Sequence, residues 1–152
     1  MKKLLLLSAL FIFACSSDDS NENDQLFLNK YNGVVWEDIE SDPSSDYKYG
    51  HIFYSSPPSV KTYDQFIGEI YCDHSIFGEP DQFWGISTTI VSQSEDVLTL
   101  EITEEADEAD EDTVTYILTA SVVNNGETLI IERSYEPSGD EEYNKINSNP
   151  CQ

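Results

Sequence analysis

Between residues 98 and 122 the chain alternates apolar and polar side chains twice, each time with a period of two. Leu98, Leu100 and Ile102 are interleaved with Thr99, Glu101 and Thr103. Val114, Tyr116, Leu118, Ala120 and Val122 are interleaved with Thr113, Thr115, Thr119 and Ser121, broken only by Ile117. Successive side chains on a strand point to opposite faces, so each run predicts a strand with one buried and one wet face. A helix would throw residues two apart to nearly opposite sides and could not gather either set. Trp84, Ile86 and Ile90 likewise share a parity, opposite Gly85, Ser87 and Thr89. Shorter stretches rich in aromatic and β-branched residues predict further strands over 33–38, 47–55, 65–71, 128–135 and 142–146. That makes about eight strands and no helix longer than a turn or two.

Asn124-Asn125-Gly126 falls between two of these runs and reads as a hairpin turn, because Asn and Gly tolerate positive φ. Residues 41–45, Ser56-Pro57-Pro58-Ser59 and 73–81 read as loops, the last with Gly78 and Pro80 as breakers. Strands joined by short turns, without βαβ spacing, predict an all-β antiparallel fold. An up-and-down β-barrel suits a meander of this length, and a β-sandwich is the alternative.

The first fourteen residues are set apart from this pattern. Two lysines precede the apolar run from Leu4 to Ala14, which as a helix would reach roughly 16 Å, about half a hydrocarbon core. This is the form of a secretory signal peptide, to be removed, rather than a buried helix. Ile12-Phe13-Ala14-Cys15 then resembles a bacterial lipobox. The resemblance implies diacylglyceryl and N-acyl chains on Cys15 and a stable membrane anchor, since each buried CH₂ is worth about 0.8 kcal/mol. Ordinary cleavage leaving a free Cys15 is the alternative.

If Cys15 is lipidated, Cys72 and Cys151 form an even pair in a compartment that permits disulfides. Their bridge would close a loop of about 80 residues, worth on the order of 4 kcal/mol in chain entropy. A metal site built on Cys72, Asp73 and His74 is the rival reading, but no second ligand cluster accompanies it.

Residues 16–25 contain no apolar side chain and read as a tether reaching about 35 Å when extended. Its start, Cys15-Ser-Ser-Asp-Asp19, is similar to the acidic export signal of surface lipoproteins in the Bacteroidetes group. The resemblance implies an outer-membrane protein exposed on the cell surface, with the periplasmic face as the alternative. The domain would then occupy residues 26–152. Phe27-Leu-Asn-Lys-Tyr-Asn-Gly-Val-Val-Trp36, the 84–102 strands and Tyr143-Asn-Lys-Ile146 resemble the lipocalin-like domain common among Bacteroidetes lipoproteins. In lipocalins a Gly-x-Trp on the first strand closes one barrel end beneath a late Arg. Here the spacing is Gly33-Val-Val-Trp36, one residue longer.

Arg133, the only arginine, shares parity with Leu129, Ile131 and Tyr135. An inward Arg needs a carboxylate or an aromatic face, so packing on Trp36 or pairing with an inward acid is expected. Exposure at the strand end beside Glu132 or Glu136 is the other reading.

The net charge of −23, from 30 acids against 7 Lys and Arg, excludes nucleic-acid binding, which needs a basic surface to displace counterions. It also argues against electrostatic docking on anionic lipid. Seven of the acids are Glu104, Glu105, Asp107, Glu108, Asp110, Glu111 and Asp112, between two strands. Calcium takes six to eight oxygen ligands and could use such a run. The run lacks a turn glycine and the Asp-x-Asp-x-Asp-Gly pattern, which favours a solvated, self-repelling hairpin loop. No cofactor other than covalent lipid is expected. Nucleophile elbows, phosphate loops and zinc motifs are absent from the sequence, so no enzyme is expected.

Trp36, Tyr49, His51, Phe53, Trp84, Tyr116, Arg133 and Tyr135, with Tyr47, fall where closing strands would gather many of them in one interior. That interior is either a pocket for a small apolar or neutral ligand or a packed core. The corresponding functions are non-catalytic ligand binding, or an accessory envelope lipoprotein with a filled barrel acting through its loops.

Overall fold

The computed structural model describes residues 26–39, 46–80, 86–105, 112–135 and 140–152. A one-turn helix, α1 (Phe27–Lys30), leads into nine strands: β1 (Val35–Asp38), β2 (Lys48–Ser55), β3 (Pro58–Phe66), β4 (Glu69–Ile76), β5 (Ile86–Gln93), β6 (Val97–Glu104), β7 (Val114–Val123), β8 (Thr128–Arg133) and β9 (Glu141–Ile146). They form one antiparallel sheet in the order β4-β3-β2-β1-β9-β8-β7-β6-β5, nearly closed into a barrel. The expected up-and-down barrel is borne out, with first and last strands paired through Val35↔Ile146 to Asp38↔Tyr143.

The sheet's free edges, β4 and β5, are drawn together by the segment after β4. Gly78 N–H donates to the Thr88 carbonyl at 2.7 Å, and Pro80 bridges Ser87. Closure of this kind hides most of the backbone groups that an open edge would expose.

The structure departs from the sequence expectation at two places. Residues 65–71 are not one strand but a hairpin tip. β3 ends at Phe66, Ile67 and Gly68 turn with φ of +50° and +81°, and β4 starts at Glu69. Two consecutive positive φ values make the tight turn that matches strand twist. The stretch 73–81 is likewise strand as far as Ile76 and turn only from Phe77. Together these departures replace one expected strand by two, β3 and β4, which brings the expected eight strands to nine. The Pro57-Pro58 segment does turn, but only Ser56 and Pro57 form the loop, and Pro58 already pairs with Ser55.

Inward residues of β6, β7 and β8 (Leu98, Leu100, Ile102, Tyr116, Leu118, Ala120, Val122, Leu129 and Ile131) are buried together, as their alternation predicted. α1 stoppers one end of the barrel. Phe27 and Leu28 are buried, and the Phe27 ring meets Phe53 edge-on at 5.3 Å and Tyr31 at 5.1 Å. Tyr31 in turn meets Trp36 at 5.8 Å. Polar contacts fix this stopper to the β5–β6 turn. Phe27 N–H donates to Ser94 O at 2.7 Å, Lys30 Nζ pairs with Glu95 and Asp96 at 2.6 and 2.8 Å, and the Tyr31 hydroxyl donates to Asp96 at 2.5 Å. Lys30 and Tyr31 together hold the Asp96 carboxyl below its ordinary range.

A second, smaller cluster lies on the outer face, where Val35, Ile52 and Tyr63 are buried beneath Tyr54, Ile146 and Cys151. Cys151 is disulfide-bonded to Cys72 on β4, as the cysteine count predicted. Tyr63 also reaches across Gly50, its cross-strand partner, to donate to Glu37 Oε2 at 3.2 Å. A Cβ on Gly50 would fall far inside contact distance of the Trp36 carbonyl oxygen and the Tyr63 ring. Gly50→Ala is therefore expected to cost about 2 kcal/mol by overpacking. A urea melt checks this, and an unchanged midpoint would show that the Tyr63 ring moves aside and β1 shifts away from Gly50 at no net cost.

Candidate functional site

The half of the barrel away from α1 is hollow. A cavity of about 350 Å³ is lined by Tyr49, His51 and Phe53 of β2, Val60 and Thr62 of β3, and Asp73 and Ser75 of β4. β5 to β8 complete it with Ile86, Thr88, Leu100, Ile102, Glu104, Tyr116, Leu118, Ile131 and Arg133. These positions all have inward parity, so the strand pattern that builds the core also builds the cavity wall.

The wall has two characters. β5 to β8 contribute mostly aliphatic side chains. On β2 and β8 the wall carries His51 and Arg133, joined behind it by a hydrogen-bonded chain of polar groups on β9. Arg133, with its side chain only 18% exposed, pairs through Nη1 with Glu141 Oε1. Glu141 Oε2 accepts the Tyr143 hydroxyl proton at 2.5 Å, and the Tyr143 oxygen lies 3.2 Å from His51 Nε2. The His51 ring also meets Tyr49 and Tyr143 edge-on at 5.0 and 4.9 Å.

Electrostatics follow from burial and this chain. Burial, reinforced by the Arg133 charge, lowers His51 to about 4, so its ring is neutral at pH 7. Burial alone would raise Glu141, but the donors on Arg133 and Tyr143 outweigh it and hold the carboxylate below its usual range. Burial and Glu141 push the Tyr143 hydroxyl far up, and burial pushes Tyr49 up to about 12. Both phenols therefore stay protonated. On the opposite side Tyr116 donates to Glu104 at 2.8 Å.

No family model, curated protein or solved structure matches this chain. The assignment of residues therefore rests on geometry.

Of the expected ligand-site residues, Tyr49, His51, Phe53, Tyr116 and Arg133 line the cavity together. Trp36 does not. It is fully buried toward α1 with its Nε1 donor unsatisfied, and so belongs to the stoppered end. Tyr135 lies just past β8, half exposed, with its ring 4.4 Å from that of Tyr116 on the outside of the pocket. Tyr47 is also exposed and donates to Asp64 at 2.8 Å. Trp84 and Cys15 lie outside the described residues. Arg133 finds the inward-acid partner expected of it, in Glu141, and packs neither on Trp36 nor in solvent. The two members of the supposed lipocalin plug thus sit at different depths, and α1 does the plugging.

Within the acidic run, Glu104 faces the cavity, Glu105 and Asp112 are exposed, and Asp107, Glu108, Asp110 and Glu111 lie outside the described residues. Among the described residues no group of three His, Cys, Asp or Glu is placed to hold a metal. Sequence reasoning missed Glu141 and Tyr143. Their signal was parity on a strand already expected, with Tyr143 inward and Glu141 two residues earlier.

Proposed function

We propose that this chain is a lipid-anchored envelope protein whose barrel binds a small, largely apolar, uncharged ligand without chemical turnover. The cavity carries the reading. At about 350 Å³ it is of ligand size, and it combines apolar walls with a few convergent polar groups, as binding pockets do. A packed core would have filled that space, since interiors rarely leave voids larger than a water. Binding rather than proton transfer is favoured because one nitrogen of His51 is spent on Tyr143, and burial with the Arg133 charge makes the ring too weak a base for work near pH 7. The amino-terminal cation–apolar run and Cys15 support the anchor, and the acidic tether supports an outer-membrane, cell-surface position.

Native mass spectrometry of protein purified from its own envelope tests the binding reading, with a retained small-molecule adduct as the expected result. Leu118, at the cavity wall, supplies the control. Leu118→Trp fills the space and is expected to abolish the adduct and the uptake of apolar probes while leaving a cooperative melt. A wild-type barrel that carries no adduct and takes up no probe would instead act as an accessory lipoprotein. Labelling with radioactive palmitate, expected in the wild type and lost in Cys15→Ser, tests the anchor.

A further inference from the structure

Resting on the ligand-binding reading, we propose that the cavity selects uncharged ligands carrying a hydrogen-bond donor beside an acceptor, such as an amide or alcohol, over carboxylates, with His51 Nδ1 accepting and Arg133 donating.

The protons of the polar chain fix the tautomer of His51. A phenol has one hydroxyl proton, and that of Tyr143 is given to Glu141 Oε2 at 2.5 Å. The Tyr143 oxygen can therefore only accept from His51 Nε2, 3.2 Å away. Nε2 carries the ring proton, and Nδ1 is left with its lone pair. Because the ring lines the cavity and Nε2 is engaged, Nδ1 is the nitrogen offered to an occupant. Glu141 thus sets the tautomer of a ring it does not touch. It does so through Tyr143, as a positioning residue.

Arg133 complements this acceptor. Its guanidinium has five N–H groups in a fork, yet only Nη1 bonds Glu141, at Oε1, while Tyr143 donates to Oε2. Donors therefore remain on the side of Arg133 that lines the cavity. A lone guanidinium would invite a carboxylate. Here it is already paired, and two further carboxylates, Asp73 and Glu104, also line the space. With Glu141 behind the wall neutralising Arg133, the two lining acids leave the cavity net negative, and the Nδ1 lone pair would face any anionic oxygen. An amide satisfies both groups at once, with its N–H toward Nδ1 and its C=O toward Arg133. Desolvating a charge at such a site is costly, whereas a neutral group only exchanges hydrogen bonds. The volume, equivalent to about a dozen water molecules, matches an occupant of about a dozen non-hydrogen atoms.

Three probes of similar size separate the possibilities: 4-phenylbutanamide, 4-phenylbutanoate and butylbenzene, titrated into the folded protein at pH 7.5 and followed by calorimetry. The amide is expected to bind roughly five- to tenfold more tightly than either of the others. In His51→Phe the preference for the amide over butylbenzene is expected to shrink severalfold, the Arg133 contact alone remaining. In the wild type, ¹⁵N spectra are expected to show His51 Nδ1 unprotonated and shifted on adding the amide, a readout that does not depend on the variant folding. Carboxylate binding as tight as that of the amide, an amide preference undiminished in His51→Phe, or an Nδ1-protonated ring would overturn the inference and leave the binding reading intact. Failure of all three probes to bind would remove both.

Discussion

Removing the Cys72–Cys151 bridge is expected to lower the melting temperature of the domain by on the order of 10–20 °C. The bridge links positions 79 apart in sequence, and the chain entropy it withholds from the unfolded state is worth about 4 kcal/mol. Its position adds to this. After β9 the chain has only residues 147–150 before Cys151, and Cys72 lies on β4, four strands away in the sheet. Four strand spacings are roughly 19 Å, close to the reach of five extended residues. The carboxy-terminal segment is therefore a strap across the outside of β1, β2 and β3, with Cys151 packed on the cluster of Val35, Ile52 and Tyr63. It ties down an edge strand whose residues from Glu69 to His74 are otherwise exposed. Calorimetry of the wild type with and without reductant, and of Cys151→Ser, should give the same lowered midpoint. Hydrogen exchange should quicken first in β4, which pairs with β3 alone among the named strands. A midpoint shift under about 3 °C would mean that the strap adds little beyond the pairing of β3 and β4.

The same strand marks the limit of what could be read from the sequence. β6 and β7 were legible because one face is buried and the other wet, which imprints a period of two. β4 is exposed on nearly every residue from Glu69 to His74, so burial imposed no alternation on Ile70, Tyr71, Cys72, Asp73 and His74. Its turn was encoded in Gly68, but Phe66, Ile67 and Ile70 around it read as a continuing apolar strand. The cavity wall was partly legible for the opposite reason. Tyr49, His51 and Phe53 share a parity, and so do Leu118, Tyr116 and Ile131 with Arg133 on their respective strands. Trp36 shares that inward parity and pairs directly with His51, yet its ring packs on Tyr31 beside the stopper, because parity fixes the side of a sheet and not what packs there. Cross-strand neighbours are set by register, and register depends on partners that a single sequence does not name. Glu141 as the partner of Arg133 escaped for this reason: it becomes adjacent only through the pairing of β8 with β9, at Ile131↔Glu141.

Acidification from pH 7 to pH 5 is expected to cost the wild-type domain about 2 kcal/mol through His51 alone. The sign follows from the direction of its shift. His51 sits at about 4 in the folded barrel against 6.5 when unconstrained, so between those values the unfolded chain binds a proton that the folded one refuses. The stabilisation is complete above pH 6.5 and disappears as the pH falls toward 4. The groups around the ring support that order. Tyr49 and Tyr143 remain neutral throughout, Arg133 remains charged and disfavours a second cation, and Glu141 draws the opposite way but is already committed to Arg133 and Tyr143. Glu141 and Asp96, both held below the ordinary carboxylate range, add their own loss only further into acid, which leaves the window from pH 7 to 5 to the imidazole. His51→Gln keeps a donor for the Tyr143 oxygen and cannot be protonated. Urea denaturation of both proteins at pH 7, 6 and 5 should show the wild type losing stability while the variant stays nearly level over the same range. Parallel curves would mean that the His51 ring accepts its proton inside the folded barrel, in which case Arg133 must turn away from it and the polar chain on the cavity wall must break as the pH falls.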